Sequence, residues 1–336
     1  MYDELLEEIL KKYSAGNLMD FARIPTGVSS ENYKVKTSKG TYFLKKHRES
    51  VLERIESLER LEQFFAANGI PIITPISTID NKLHCLHDHA CYVLYPFVSG
   101  DTFEQGKVSD EVVKNMAEML AKIHLLTRDG IQEQYADVSV YFIPRKTEVM
   151  TKEIDTLLEH IEHLQSKVAY DELAERGLAL KRAFLLQHAS EIDDFSFNDR
   201  NLGHGDYHPG NIFFNNDLTI SALFDLDMAG ALPRIYELVR AIMLTCLNHN
   251  YSKEKIQQSK IFIKTYHDLY PFDEEDLTKG MEAFYFETLA TWREKAHYWE
   301  HDGRTDGEYE DTIQSIHYLT DYRAELVDTL YTSTQE

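Results

Sequence analysis

Hydrophobic and polar positions fall into two stretches of different rhythm. Residues 3–13 place Leu5, Leu6, Ile9 and Leu10 on one side of a short helix. Residues 21–25, 31–37 and 41–47 then alternate with the period of half-buried strands. The turn Ser38-Lys39-Gly40 joins the last two as a hairpin. Helical spacing returns at 50–68 (Val51, Ile55, Leu58, Leu61, Phe65), and Gly69 and Pro71 stop it. Strand-like runs follow at 76–79, around Leu83 and at 91–95. The pattern predicts an antiparallel sheet with one inserted helix, an α+β lobe over residues 1–97.

From Ser109 the period becomes helical. Ser109 is placed to cap a helix whose buried stripe is Val112, Val113, Met116, Leu120 and Ile123. Residues 148–190 read as two long charged helices, and 192–202 break that pattern. A short hairpin is predicted next, with strands at 212–214 and 220–224 around Asn215-Asn216-Asp217. Helices resume near Arg234, with pauses at 248–252, 271–272 and 302–305. Residues 98–336 are thus expected to be mainly helical.

Composition narrows the function classes. The 336 residues are 43% hydrophobic and 12% aromatic, as in a globular protein rather than an acidic disordered chain. The net charge of −22, from 35 Lys and Arg against 57 Asp and Glu, disfavours nucleic acid and anionic membrane surfaces as partners. The longest apolar run, residues 90–98, is far short of the ~18 residues of a spanning helix. The first residues, MYDELLEEIL, lack the basic flank and apolar core of a signal peptide, so a cytoplasmic location is expected. Three cysteines without a C-x-x-C pair read as reduced thiols. The run HCLHDH at 84–89 fits a turn between strands better than any zinc spacing.

The chemistry concentrates in residues 202–227, LGHGDYHPGNIFFNNDLTISALFDLD. Asp206 and Asn211 are five positions apart, and Asp225 follows fourteen later. Protein-kinase catalytic loops have the same Asp-to-Asn interval, with a metal-binding Asp after a hairpin. Phosphoryl transfer needs that set: a carboxylate to orient and deprotonate the acceptor hydroxyl, and oxygen ligands for the Mg²⁺ that bridges nucleotide phosphates.

The segment resembles the aminoglycoside phosphotransferase and choline kinase-like family of small-molecule kinases, which has His-Gly-Asp where protein kinases have His-Arg-Asp. Outlying stretches agree in order: TGVSSENYKVKTSKGTYFLK at 26–45, IPIITP at 70–75, AKIH at 121–124 and PRIYEL at 233–238, the last with Glu237 where the family has Asp. The resemblance implies a bilobal protein-kinase-like fold. Residues 1–97 would be the nucleotide-binding lobe, and 98–336 the helical lobe carrying loop 202–227 and the acceptor site. It also implies ATP and Mg²⁺ as cofactors and a hydroxyl of a small molecule as acceptor, an amino alcohol or amino sugar for example.

Roles follow from the same resemblance. Asp206 would be the catalytic base, and Asn211 and Asp225 would hold Mg²⁺. Asp227 would assist the metal or orient the loop. Lys45 would contact the α- and β-phosphates, and Glu59 would pair with it. Ser29 and Ser30 would lie over the phosphates, and backbone groups from Tyr95 through Phe97 to Val98 would meet the adenine edge. Alternatives stand open where the residues leave them. A one-residue slip exchanges Lys45 for Lys46, Glu56 and Glu62 lie one helical turn from Glu59, and His208 either touches substrate or braces Pro209. The Trp292–His301 run (residues 292–301) reads as helix surface and core, or as a substrate wall. Without an A-P-E segment the chain suits a small-molecule kinase. A kinase of protein Ser/Thr and a non-catalytic nucleotide-binding protein are the alternatives. The acidic runs at 273–276 and 308–311 would suit a cationic acceptor.

Overall fold

A computed structural model describes residues 2–24, 30–48, 52–128, 131, 146–197 and 201–336. The chain forms two compact units, residues 1–141 with 201–231 and residues 142–200 with 232–336. This grouping by packing does not follow the change of rhythm at residue 97. The helix after Ser109 and the whole 202–227 segment go with the sheet.

In the first unit, helix α1 (Tyr2–Lys12) precedes strands β1 (Leu18–Ile24), β2 (Glu31–Thr37) and β3 (Gly40–Arg48). Helix α2 (Leu52–Ala67) follows, then β4 (His84–His87) and β5 (Ala90–Pro96). The five strands form one antiparallel sheet in the order β1-β2-β3-β5-β4. Alternation gives the sheet two apolar faces. One packs Val35, Leu44, Tyr92 and Leu94 against Leu6, Ile9 and Leu10 of α1. The other gathers Cys91, Val93 and Tyr95 with Ile55 of α2, Ile73 and Ala222. The run at 76–79, expected as a strand, is not one. The Ile76 N–H reaches the Leu94 carbonyl, but Thr78 then closes a turn on Lys82 through both its backbone N–H and its hydroxyl. That turn takes the backbone donors a strand would use.

The unit continues with α3 (Asp110–Leu126), whose Ser109 cap accepts the Val112 N–H as expected. Helices α4 (Thr147–Glu162), α5 (Ala169–Gln187) and α6 (Ala189–Asp193) belong to the second unit. The chain then returns as β6 (Asn201–Gly203), β7 (Ile212–Phe214), β8 (Ile220–Leu223) and β9 (Gly230–Leu232). Strands β7 and β8 pair as the predicted hairpin. The β6–β9 pair was not foreseen, because three-residue strands carry no readable alternation. Residues 71–73 run beside β8, exchanging backbone hydrogen bonds with Leu223.

The second unit is helical: α4–α6, then α7 (Arg234–Ile242), α8 (Lys253–Leu269), α9 (Glu274–Thr288), α10 (Trp292–Glu300) and α11 (Tyr309–Thr332). Helix α9 packs on α7 and α11, and α4 on α5. Its core holds a charged pair. Lys181 Nζ lies 2.8 Å from Glu294 Oε1, both side chains are sealed from solvent, and the Tyr309 hydroxyl donates to the same oxygen. On α10, Glu294, Ala296 and Tyr298 face inward while Trp292 and Trp299 are exposed. Among the described residues no helix is long and apolar enough to cross a membrane.

Candidate active site

Strand register decides which lysine faces inward. Lys45 sits opposite Val93 and shares its face with Phe43 and Tyr95, whereas Lys46 sits opposite Tyr92 and bonds Glu31 at 2.9 Å. The Lys45 side chain is only 2% exposed. Its ammonium lies 2.8 Å from Asp225 Oδ1 and 2.7 Å from Asp227 Oδ1, and 5.3 Å from the Phe224 ring. Burial alone would lower the Lys45 pKa, but the two carboxylates outweigh it and hold the ammonium above its usual range.

The carboxylates come from the end of the hairpin. Phe224 prolongs the β7–β8 pairing by donating its N–H to the Asn211 carbonyl at 3.0 Å. Asp225 then turns the backbone left-handed (φ 66°, ψ 67°) and starts a single helical turn, Leu226–Met228, that carries Asp227. Arg54 of α2 clamps this turn: its Nε donates to the Asp227 carbonyl at 3.1 Å, and its Nη2 donates to the Asp227 and Ala229 carbonyls. Nothing in the sequence pattern singled out Arg54, because an arginine in the first turn of an amphipathic helix looks like any solvated charge.

The loop between β6 and β7 brings Asp206 to the same region. The Asn201 amide donates to the His124 carbonyl, the Thr127 hydroxyl to the Leu202 carbonyl and the Tyr207 hydroxyl to the Met116 carbonyl, so α3 and its end hold both flanks of Asp206. His204 donates from Nε2 to the Phe224 carbonyl at 2.9 Å and accepts the Asp206 N–H on Nδ1 at 3.4 Å. One imidazole thereby ties the Asp206 loop to the residue before Asp225. Gly205 is required between them. Its φ is +79°, and a Cβ there would lie 2.0 Å from the Met228 carbonyl oxygen. Asp206 is partly open, with 27% of its side chain exposed. Asn211 Nδ2 donates to the Asp206 carbonyl at 3.0 Å and to its Oδ2 at 3.2 Å.

The expected pairing of Glu59 with Lys45 is corrected by the structure. Glu59 turns to His84, 3.1 Å from Nδ1. Glu62, one turn later, accepts the Tyr95 hydroxyl at 3.2 Å. Burial pushes Glu62 up to about 8, with the Lys45 charge pulling the other way. With Ile55, Leu58 and Phe65 in the core, α2 buries both glutamates. Glu56 stays half exposed, 3.9 Å from His84 Nε2.

The other sites expected to bind nucleotide are less gathered. Ser29 lies outside the described residues, and the Ser30 hydroxyl donates to Asn32 Oδ1 at 3.0 Å. Tyr95 is buried with its ring on Phe43 and Phe224. The Phe97 N–H is engaged by the Thr41 carbonyl at 3.3 Å, and its exposed ring lies under Lys34. Val98 packs on the Tyr95 face of the sheet.

Two carboxylates and an amide, all hard oxygen donors, fit a magnesium-type ion. Among the described residues no group of three or more His, Cys, Asp or Glu side chains could hold a metal ion. Ligand oxygens from a phosphate group would have to complete such a shell.

A family model described as the phosphotransferase enzyme family matches residues 20–276. A homoserine kinase of Burkholderia ambifaria is 20% identical over 278 residues, covering 80% of this chain and 78% of that protein. Among solved structures, a spectinomycin phosphotransferase in complex with ADP and spectinomycin aligns with a TM-score of 0.66 at 17% identity, over 99% of this chain and 98% of that one. An amicoumacin kinase in complex with AMP-PNP, Ca²⁺ and its substrate aligns with a TM-score of 0.58 at 14% identity, over 98% and 96%. These likenesses show a shared kinase-like fold along nearly the whole chain.

Proposed function

Since the chain belongs to the phosphotransferase enzyme family, we propose that it transfers the γ-phosphoryl group of ATP to a hydroxyl of a small molecule. The observation that carries this is the Lys45 ammonium joined to Asp225 and Asp227, with Asp206 and Asn211 tied to the same strand ends by His204 and the hairpin. Asp206 takes the acceptor's proton as the acceptor oxygen forms its bond to the γ-phosphorus. The bond from that phosphorus to the β–γ bridging oxygen breaks, and ADP leaves. Lys45 contacts phosphate oxygens. The Asn211 amide oxygen and the Asp225 carboxylate, with Asp227 beside them, hold Mg²⁺, whose contribution is neutralising charge on the phosphates. The net charge of −22 favours an acceptor that is itself cationic, an amine-bearing alcohol.

The test is ADP formation from Mg·ATP across a panel of hydroxyl compounds, including homoserine, ethanolamine, amino sugars and a serine peptide. Turnover of the small amines, abolished in Asp206→Ala, is the expected result. No turnover with any compound, or full activity in Asp206→Ala, overturns the reading, and turnover confined to the peptide replaces it with a protein kinase.

A further inference from the structure

His208 is the one group in the loop that the proposed chemistry leaves without a task. It caps the short turn Pro209–Asn211, and its Nδ1 accepts the Gly210 N–H at 3.1 Å. A ring nitrogen that accepts carries no proton, so in a neutral ring the proton resides on Nε2. Nε2 is the atom that faces Asp206, 3.4 Å from Oδ2. The ring is also fixed sterically. A Cβ on residue 210 would lie 2.9 Å from His208 Cε1 and 3.1 Å from Nδ1, so glycine there lets the imidazole lie across the turn.

The same Asp206 oxygen receives the Asn211 amide at 3.2 Å. His208 and Asn211 therefore approach Oδ2 from a common turn, the imidazole Nε2 as a close polar contact and the amide N–H as a hydrogen bond. A carboxylate rotates easily about its last bond, and a general base must present an oxygen to the proton it takes. One hydrogen bond and one close imidazole contact on the same oxygen bias that rotation.

We infer that His208 is a positioning residue for Asp206: its backbone-fixed tautomer holds the carboxylate in the rotation that presents it to the acceptor hydroxyl. The inference rests on the reading of Asp206 as the base. It implies two separable tasks for one ring, a cap through Nδ1 and an aim through Nε2.

Amide side chains separate them. Asparagine places an oxygen near Nδ1 and keeps the cap, but ends short of Asp206. Glutamine places an N–H near Nε2 and keeps the aim, but is a poor cap. The experiment measures kcat, KM for ATP and thermal midpoint for wild type, His208→Asn, His208→Gln and Asp206→Asn. The acceptor is the panel compound with the largest wild-type turnover. In His208→Asn, kcat is expected to fall by about tenfold or more with KM for ATP and the thermal midpoint near wild type. His208→Gln is expected to recover most of kcat at a lower thermal midpoint. Unchanged kcat in His208→Asn, or a loss in His208→Gln as deep as in His208→Asn, overturns the inference. A fully active Asp206→Asn would instead overturn the assignment of the base, so the two failures are distinguishable.

Discussion

Lys45 and Lys181 are buried to the same degree, and their surroundings differ in one respect. Lys181 meets a glutamate that is itself sealed from solvent, the Tyr309 ring and the Ala290 carbonyl. Lys45 meets two aspartates whose side chains are 29% and 18% exposed. A sealed pair has finished its chemistry. Breaking it strands a charge, and nothing can enter to replace the lost partner. A pair whose acidic half stays open can exchange partners with solvent, an ion or a phosphate. Burial of a charge therefore does not mark a site; burial of one partner with exposure of the other does.

Four experiments sharpen or break that contrast. The largest effect is expected at the open end of the site. Asp206→Asn should lower kcat by about 10²- to 10⁴-fold while leaving the denaturation midpoint close to wild type. Next, Lys181→Met should cost about 3–5 kcal/mol of unfolding free energy in urea titrations, with nucleotide affinity of the folded protein unchanged. An affinity loss there would erase the distinction. Lys45→Met should do the reverse, weakening ATP binding by about tenfold or more at a stability cost below about 2 kcal/mol, since its aspartates can turn to water.

The last experiment concerns Glu62. In the fold it keeps its proton up to about 8, against a usual value of 4.5. Between those values the unfolded chain binds fewer protons, so stability falls as pH rises through the window. Glu62→Gln removes that slope. Its urea midpoint should match wild type at pH 5 and exceed it at pH 8. Equal midpoints at both pH values would show that Glu62 is not held neutral.

The sequence announced the parts of the site that local spacing controls. The hairpin following Asn211 was legible in two apolar runs around Asn215-Asn216-Asp217, and its pairing sets Asn211 beside Phe224. The choice of Lys45 over Lys46 was not legible, because alternation supplies two faces and only pairing with β5 says which is inward. Glu59 and Glu62 were indistinguishable for a related reason. They differ by three positions on a helix whose rotation is set by tertiary contacts. Arg54 and the β6–β9 pair left no local signal, since both depend on segments far apart in the chain.

The left-handed backbone at Asp225 has a consequence for anyone who would engineer this protein. A non-glycine residue in that conformation gives up on the order of 1 kcal/mol. Glycine at this position would relieve that backbone, but it would also take a carboxylate from the buried Lys45 ammonium, so a selection for thermal robustness alone would weigh one against the other. A glycine variant kept by such a selection would have discarded a carboxylate that Lys45 holds. Position 225 is where robustness and purpose pull apart in this chain, and a library that spares it will keep both.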